Sequence, residues 1–203
     1  WQILDGDLPV RDFVDQGAPA YYYVAAAVQI LFGRGTLSEF TFSVTLIAVT
    51  ATLTFWLCLR VSRSLLLALS GAAFQIVLSP RMYNYPKVLS YAIAIPLLWL
   101  FAEQPRARPR FWVAMVTVLA FLFRHDHGVF IAVGFVALLL VHGQLTWRDR
   151  FRHGLLYAAT VLLLLGPYLT FVQANGGILS YFRQVSAWAA RDRERAPVVW
   201  PGL

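Results

Sequence analysis

Three clusters hold the residue types from which chemistry could be built. The first is at the start of the chain, where Asp5, Asp7, Asp12 and Asp15 fall within fifteen residues. Carboxylates at that density can supply a general base or a metal ligand. They also suit a solvated acidic loop, because Asp, Gly and Pro are turn formers. The second cluster is Arg81-Met-Tyr-Asn-Tyr-Pro-Lys87, which contains the only lysine of the chain. Arg81 could grip a phosphate as a two-pronged fork and Lys87 as a point charge. Tyr83 and Tyr85 could stack on a sugar. The plainer reading is a lysine that snorkels to lipid headgroups beside interfacial tyrosines. The third cluster is Arg124-His125-Asp126-His127. His125 and His127 resemble a metal pair, but adjacent ligands rarely converge on one ion without distant ones. A phosphate or substrate clamp through Arg124 fits better, with Asp126 orienting it or capping the helix that starts near Gly128. The alternative is a tight turn with an internal ion pair.

The elements that must position these clusters are apolar. The chain has 203 residues, 59% hydrophobic and 13% charged, with a mean hydropathy of +0.63. Soluble domains carry roughly 25% charged residues. Long apolar runs occupy 37–59, 64–79, 88–102, 111–123, 128–142 and 154–173, against the about 20 residues that cross a bilayer as a helix. Run 111–123 is short for a span. Pro96 predicts a kink in 88–102, and Gly166-Pro167 a break in 154–173. Residues 18–33 are apolar but short and open with Tyr21, Tyr22 and Tyr23, an interfacial pattern.

The fold class expected is therefore all-α: a polytopic transmembrane helical bundle of about six spans with an outer-face interfacial helix. Residues 1–36 form an external loop with that helix, 37–173 the bundle, and 174–203 a further external segment with an amphipathic helix around 178–190. Arginines with few acids follow alternate runs: Arg60 and Arg63; Arg106, Arg108 and Arg110; Arg148, Arg150 and Arg152. Such loops mark the cytoplasmic face. The mixed clusters at 81–87 and 124–127 then lie on the outer face, where charge kept against the orientation rule points to function. The net charge of +7 does not indicate nucleic acid, because the basic residues separate apolar runs instead of lining one soluble face. Cys58, the single cysteine, excludes a disulfide framework.

The order of these motifs carries a resemblance. Gly6-x-x-Pro9-x-Arg11-Asp12-Phe13, then Gly17-x-Pro19-x-Tyr21-Tyr22, Leu31-Phe32-Gly33 and, later, Arg124-His-Asp126-His-Gly128 resemble the polytopic GT-C glycosyltransferases. The nearest groups are the protein O-mannosyltransferase, aminoarabinose transferase and lipopolysaccharide-core galacturonosyltransferase types. The resemblance implies an enzyme of the bacterial inner membrane that moves a sugar, with inversion, from a polyprenyl-phosphate donor to a glycan, lipid or protein acceptor. It implies Asp12, the recurrent loop aspartate, as the candidate catalytic residue, with a base upstream of residue 1 as the alternative. Arg81, Tyr83, Tyr85, Lys87, Arg124, His125, Asp126 and His127 are the substrate or phosphate contacts expected from the second and third clusters. The resemblance requires no nucleotide-sugar pocket and implies no certain cofactor; a divalent metal stays open because the family varies. Two rivals use the same residues without chemistry: a transporter or flippase of a lipid-linked anion, and a non-catalytic membrane scaffold.

Overall fold

A computed structural model describes residues 2–78 and 85–195. Among them the chain is all-helical. A short 3-10 turn, Gln2–Asp5, precedes eight α-helices: α1 Pro19–Phe32, α2 Thr36–Ser62, α3 Leu65–Leu78, α4 Tyr85–Glu103, α5 Ala107–Phe123, α6 His125–Val141, α7 Trp147–Ala174 and α8 Ile178–Arg195. The described residues form no strand, only an isolated bridge between Pro9 and Phe13. Apolar segments favour helices because every backbone donor and acceptor is then satisfied within the segment. Helix assignment runs unbroken through Pro96 in α4 and Pro167 in α7. The break expected at Gly166-Pro167 is thus absent. A proline removes one backbone bond, and packing or neighbouring helices can hold the rest.

Helix α5 is the hub. It packs against α1, α4, α6 and α7, and seven of its seventeen residues are buried, most of them small or β-branched. Ala114 and Ala120 lie almost fully buried, which lets neighbouring backbones come close. Two apolar clusters result. Val113 and Ala114 meet Phe101 of α4, Phe135 and Leu139 of α6 and Tyr157 of α7. Val116 and Ala120 meet Ala94 and Ile131. Helices α5 and α6 are joined by Arg124 alone, in an extended conformation. That turn requires Gly128, since a Cβ there would collide with the side chain and backbone of Phe121.

Outside this hub, exposed large apolar side chains outnumber the buried apolar ones. Helix α3 packs on α2 alone among the described elements and leaves Leu65, Leu66, Leu67, Leu69, Phe74, Ile76 and Val77 exposed. Two helices, α2 and α7, are long and apolar enough to cross a membrane. Only 11% and 17% of their most apolar windows are buried. A core helix of a soluble protein would bury most of such a window, so these faces need a partner or a lipid.

The arginines that follow α2, α4 and α6 gather at one end of the bundle. Arg60 and Arg63 at the end of α2 line a groove with Trp99 and Glu103 at the end of α4. His142, just past α6, bonds the carbonyl of Ala102 at 3.0 Å. Arg110 donates to His153 across α5 and α7 at 3.1 Å. Arg150 donates to the carbonyls of Leu140, His142 and Leu145, closing the C-terminus of α6 with a cation, as the helix dipole favours.

Candidate functional site

At the opposite end, the segment before α1 is shaped by Asp15. One carboxylate oxygen accepts the backbone N–H groups of Gly17 and Ala18, both at 2.9 Å. Gly17 takes a positive φ of 88°, and Pro19 starts α1 where no N–H is needed. A side chain at Gly17 would press on Val185 and His125, so the turn lies directly on the bundle. The other Asp15 oxygen accepts the Tyr181 hydroxyl at 2.7 Å. That hydroxyl also meets Tyr168 at 2.9 Å and His125 Nε2 at 2.7 Å. His125 bonds the Phe121 carbonyl through Nδ1 and the Gly17 carbonyl through its backbone N–H. Asp15 is 1% exposed, and burial holds the Tyr181 phenol far above its ordinary pKa. One buried network thereby ties the N-terminal segment, the α5–α6 turn, α7 and α8 together.

Proton counting restricts this network. Nδ1 of His125 faces a carbonyl and must donate. The Tyr181 hydroxyl carries a single proton, so the Asp15 carboxylate and Nε2 compete for it.

A cleft of about 320 Å³ lies beside the network, lined by Gln16, Tyr21, Tyr22, Arg124, Asp126, Val185 and Trp188 among others. The Arg124 Nε donates to Asp126 at 3.0 Å, with roughly half of the arginine side chain exposed. Asp126 also accepts the backbone N–H of His127. Asp126 sits in the first turn of α6 without capping it; the N-cap is Arg124, with no side-chain capping bond. His127 turns away from His125 to meet the Tyr91 hydroxyl through Nδ1 at 2.5 Å. The charges of Lys87 and Arg124 both reach it.

The expected residues are thus partly assembled. Arg124 pairs with Asp126, His127 lies against Asp126 and bonds Tyr91, and the charge of Lys87 reaches His127. His125 faces the Asp15 network instead, so the two histidines do not share a point. Asp12 stands apart: its carboxylate takes Arg11 and the backbone N–H of Leu8, and the guanidinium holds it below the usual carboxylate range. Arg81 and Tyr83 lie outside the described residues. Tyr85 opens α4, and its side chain is outside them as well. Sequence reasoning offered Asp15 only as one of four clustered aspartates and missed Tyr91, Tyr168 and Tyr181 as site residues. Asp15-x-Gly-x-Pro19 was the available signal for the first, a turn leading into a helix. No local signal marks the tyrosines, which are joined by tertiary packing. Comparison with protein-family models, with characterised proteins and with solved structures gave no match.

Proposed function

We propose that the chain belongs to a membrane glycosyltransferase that moves a sugar from a polyprenyl-phosphate donor to an acceptor at the face opposite its arginine loops. In this reading α2 to α7 form six crossings of a bacterial inner membrane, with Arg60, Arg106, Arg108, Arg148 and their neighbours on the cytoplasmic side. Helices α5 and α6, seventeen residues each, are about 26 Å long and cross where the bilayer is thinned or other helices shield them.

The observation that carries this reading is the cleft itself. A half-exposed guanidinium, a carboxylate and aromatic walls meet at the end away from the arginine loops, on a bundle whose sides are apolar and uncovered. The polyprenyl tail would lie along those sides. Arg124, with Lys87 close by, would hold the donor phosphate. Tyr21 and Trp188 would flank the sugar. The acceptor oxygen attacks the anomeric carbon as the carbon–oxygen bond to phosphate breaks. The leaving phosphate takes the electron pair, and Arg124 and Lys87 offset its charge. The acceptor proton passes to a carboxylate, and Asp126 is the one lining the cleft among the described residues.

The test uses the full-length protein in membranes supplied with radiolabelled polyprenyl-phosphate sugars. Arg124→Ala, Lys87→Ala and Asp126→Asn are compared with wild type at matched expression. The expected result is transfer by wild type and a loss on the order of a hundredfold in Arg124→Ala and Asp126→Asn. Lipid binding that depends on Arg124 and Lys87, without transfer for any donor offered, would move a carrier of lipid-linked anions ahead.

A further inference from the structure

The other end of the bundle holds a second cavity, of about 400 Å³, between the last turns of α2 and α4. It lies away from the Arg124 cleft. Its walls are apolar and half-exposed: Trp56 is 49% exposed, Trp99 46% and Leu100 42%. Its rim carries Arg60, Arg63 and Glu103. The Arg60 guanidinium lies over the Trp56 ring, 5.6 Å from its centre, which fixes the cation by its face. Glu103 accepts the Trp99 indole N–H at 2.6 Å, which fixes the opposite wall.

Arg63 adds an independent observation. It closes α2 in the left-handed conformation, with φ at 53°. That position favours glycine, and a residue with a Cβ is strained there. A cation does suit a helix C-terminus, but Arg60 already supplies one in the last turn of α2. The strained placement puts a second guanidinium on the same groove. Depth agrees with this: Arg60 lies 24 residues along α2 from Thr36, or about 36 Å, just beyond a hydrocarbon core of about 30 Å.

We propose that this groove binds one anionic phospholipid, its phosphate held between Arg60 and Arg63 and an acyl chain lying on Trp56, Trp99 and Leu100. Two guanidiniums against one carboxylate leave the rim net positive. Arginine forks suit phosphate oxygens, and tryptophans suit the depth of the glycerol backbone. The site needs α2 to lie in a bilayer but does not depend on the transfer reaction. A failure to transfer sugar leaves it standing, and its failure leaves the Arg124 cleft untouched.

The test is native mass spectrometry of the full-length protein in detergent, titrated with phosphatidylglycerol or phosphatidylcholine. One phosphatidylglycerol should be retained in preference to phosphatidylcholine. Arg63→Gly should weaken that retention about fivefold while leaving the melting temperature unchanged or raised, because glycine relieves the left-handed strain. Arg60→Gln, which keeps the helix intact, should act in the same direction. The pair Arg106→Ala and Arg108→Ala, at the same end but outside the groove, should change retention less than about twofold. Equal retention of the two lipids overturns the proposal. So does equal loss in the Arg106/Arg108 pair, which would mean general surface attraction, or full retention in both Arg63→Gly and Arg60→Gln.

Discussion

Asp12 and Asp15, three residues apart, show how little residue type alone decides. Asp12 is held at the surface by its neighbour Arg11, and water competes for every bond it makes. Asp15 is nearly sealed and accepts three hydrogen bonds. Removing its charge should therefore cost far more. Asp15→Asn is expected to lose about 2–4 kcal/mol of stability, as buried charged networks do when one partner changes. Asp12→Asn should melt with wild type, since exposed ion pairs contribute little. Thermal melts in detergent compare them, and equal shifts would mean that the Asp15 network is not a stabilising element. Tyr181 adds a pH dependence. Its pKa is raised in the folded protein, against about 10 in an unfolded chain. The stability it contributes is complete below pH ~10 and drains above it, where the unfolded side chain ionises and the folded one stays protonated. Alkaline melts should fall more steeply for wild type than for Tyr181→Phe; parallel slopes would remove Tyr181 as the cause. Sequence reasoning found the Arg124–His127 cluster because it interrupts two apolar runs. It could not separate Asp15 from the other three aspartates because burial is a property of what packs on the segment, here Tyr181, 166 residues away.

Helix positions were largely legible at the scale of elements, because each apolar run has one stable backbone solution in an apolar setting. Run 111–123 became α5, extended backward to Ala107 through the arginines, and run 128–142 became α6, extended back to His125. Polar residues joined these helices because hydrophobicity marks what a helix buries and not where its hydrogen bonds stop. The role of α5 as hub was not legible. The more apolar α3, which lacks the arginines of α5, lies at the edge; what makes α5 the hub is which helices return to pack on it. The α5–α6 turn gives a sharp test within one element. Gly128→Ala should destabilise by about 1–3 kcal/mol, the usual cost of forcing atoms into a packed site, because Phe121 cannot move without displacing backbone. Gly134→Ala, on the same helix but facing open space, should be neutral or stabilising by up to about 1 kcal/mol. Chemical-denaturant curves for the two variants decide it: equal losses would mean that helix propensity and not the close turn sets the glycine at 128.

For the whole molecule, the question is whether the two ends face opposite compartments. Contacts across α2–α4, α4–α6, α5–α7 and α6–α7 bring the arginines of separate loops to one end, and the Asp15 network joins the N-terminal segment to α8 at the other. A soluble bundle has no reason to sort its arginines this way, nor to leave Ile76, Val77, Leu162 and Leu163 uncovered on the sides between the ends. In the proposed topology the apolar belt would meet hydrocarbon and the short basic loops would stay on the cytoplasmic side. The six-span topology follows only if the fourteen-residue α3 and the seventeen-residue α5 and α6 cross as well, and the test is aimed at α5 and α6. In a Cys58→Ser background, single cysteines are placed at Arg108, in the first turn of α5, at Gly143, after α6, and at Gly176, after α7. Intact spheroplasts are treated with a membrane-impermeant thiol reagent before and after lysis. Gly176→Cys should label in intact cells, and Arg108→Cys and Gly143→Cys only after lysis. Labelling of Arg108→Cys and Gly176→Cys from the same side would leave α5, α6 and α7 unable to make three crossings between them. The arginine sorting would then be a feature of packing, and the cleft at Arg124 would lose its place on the outer face.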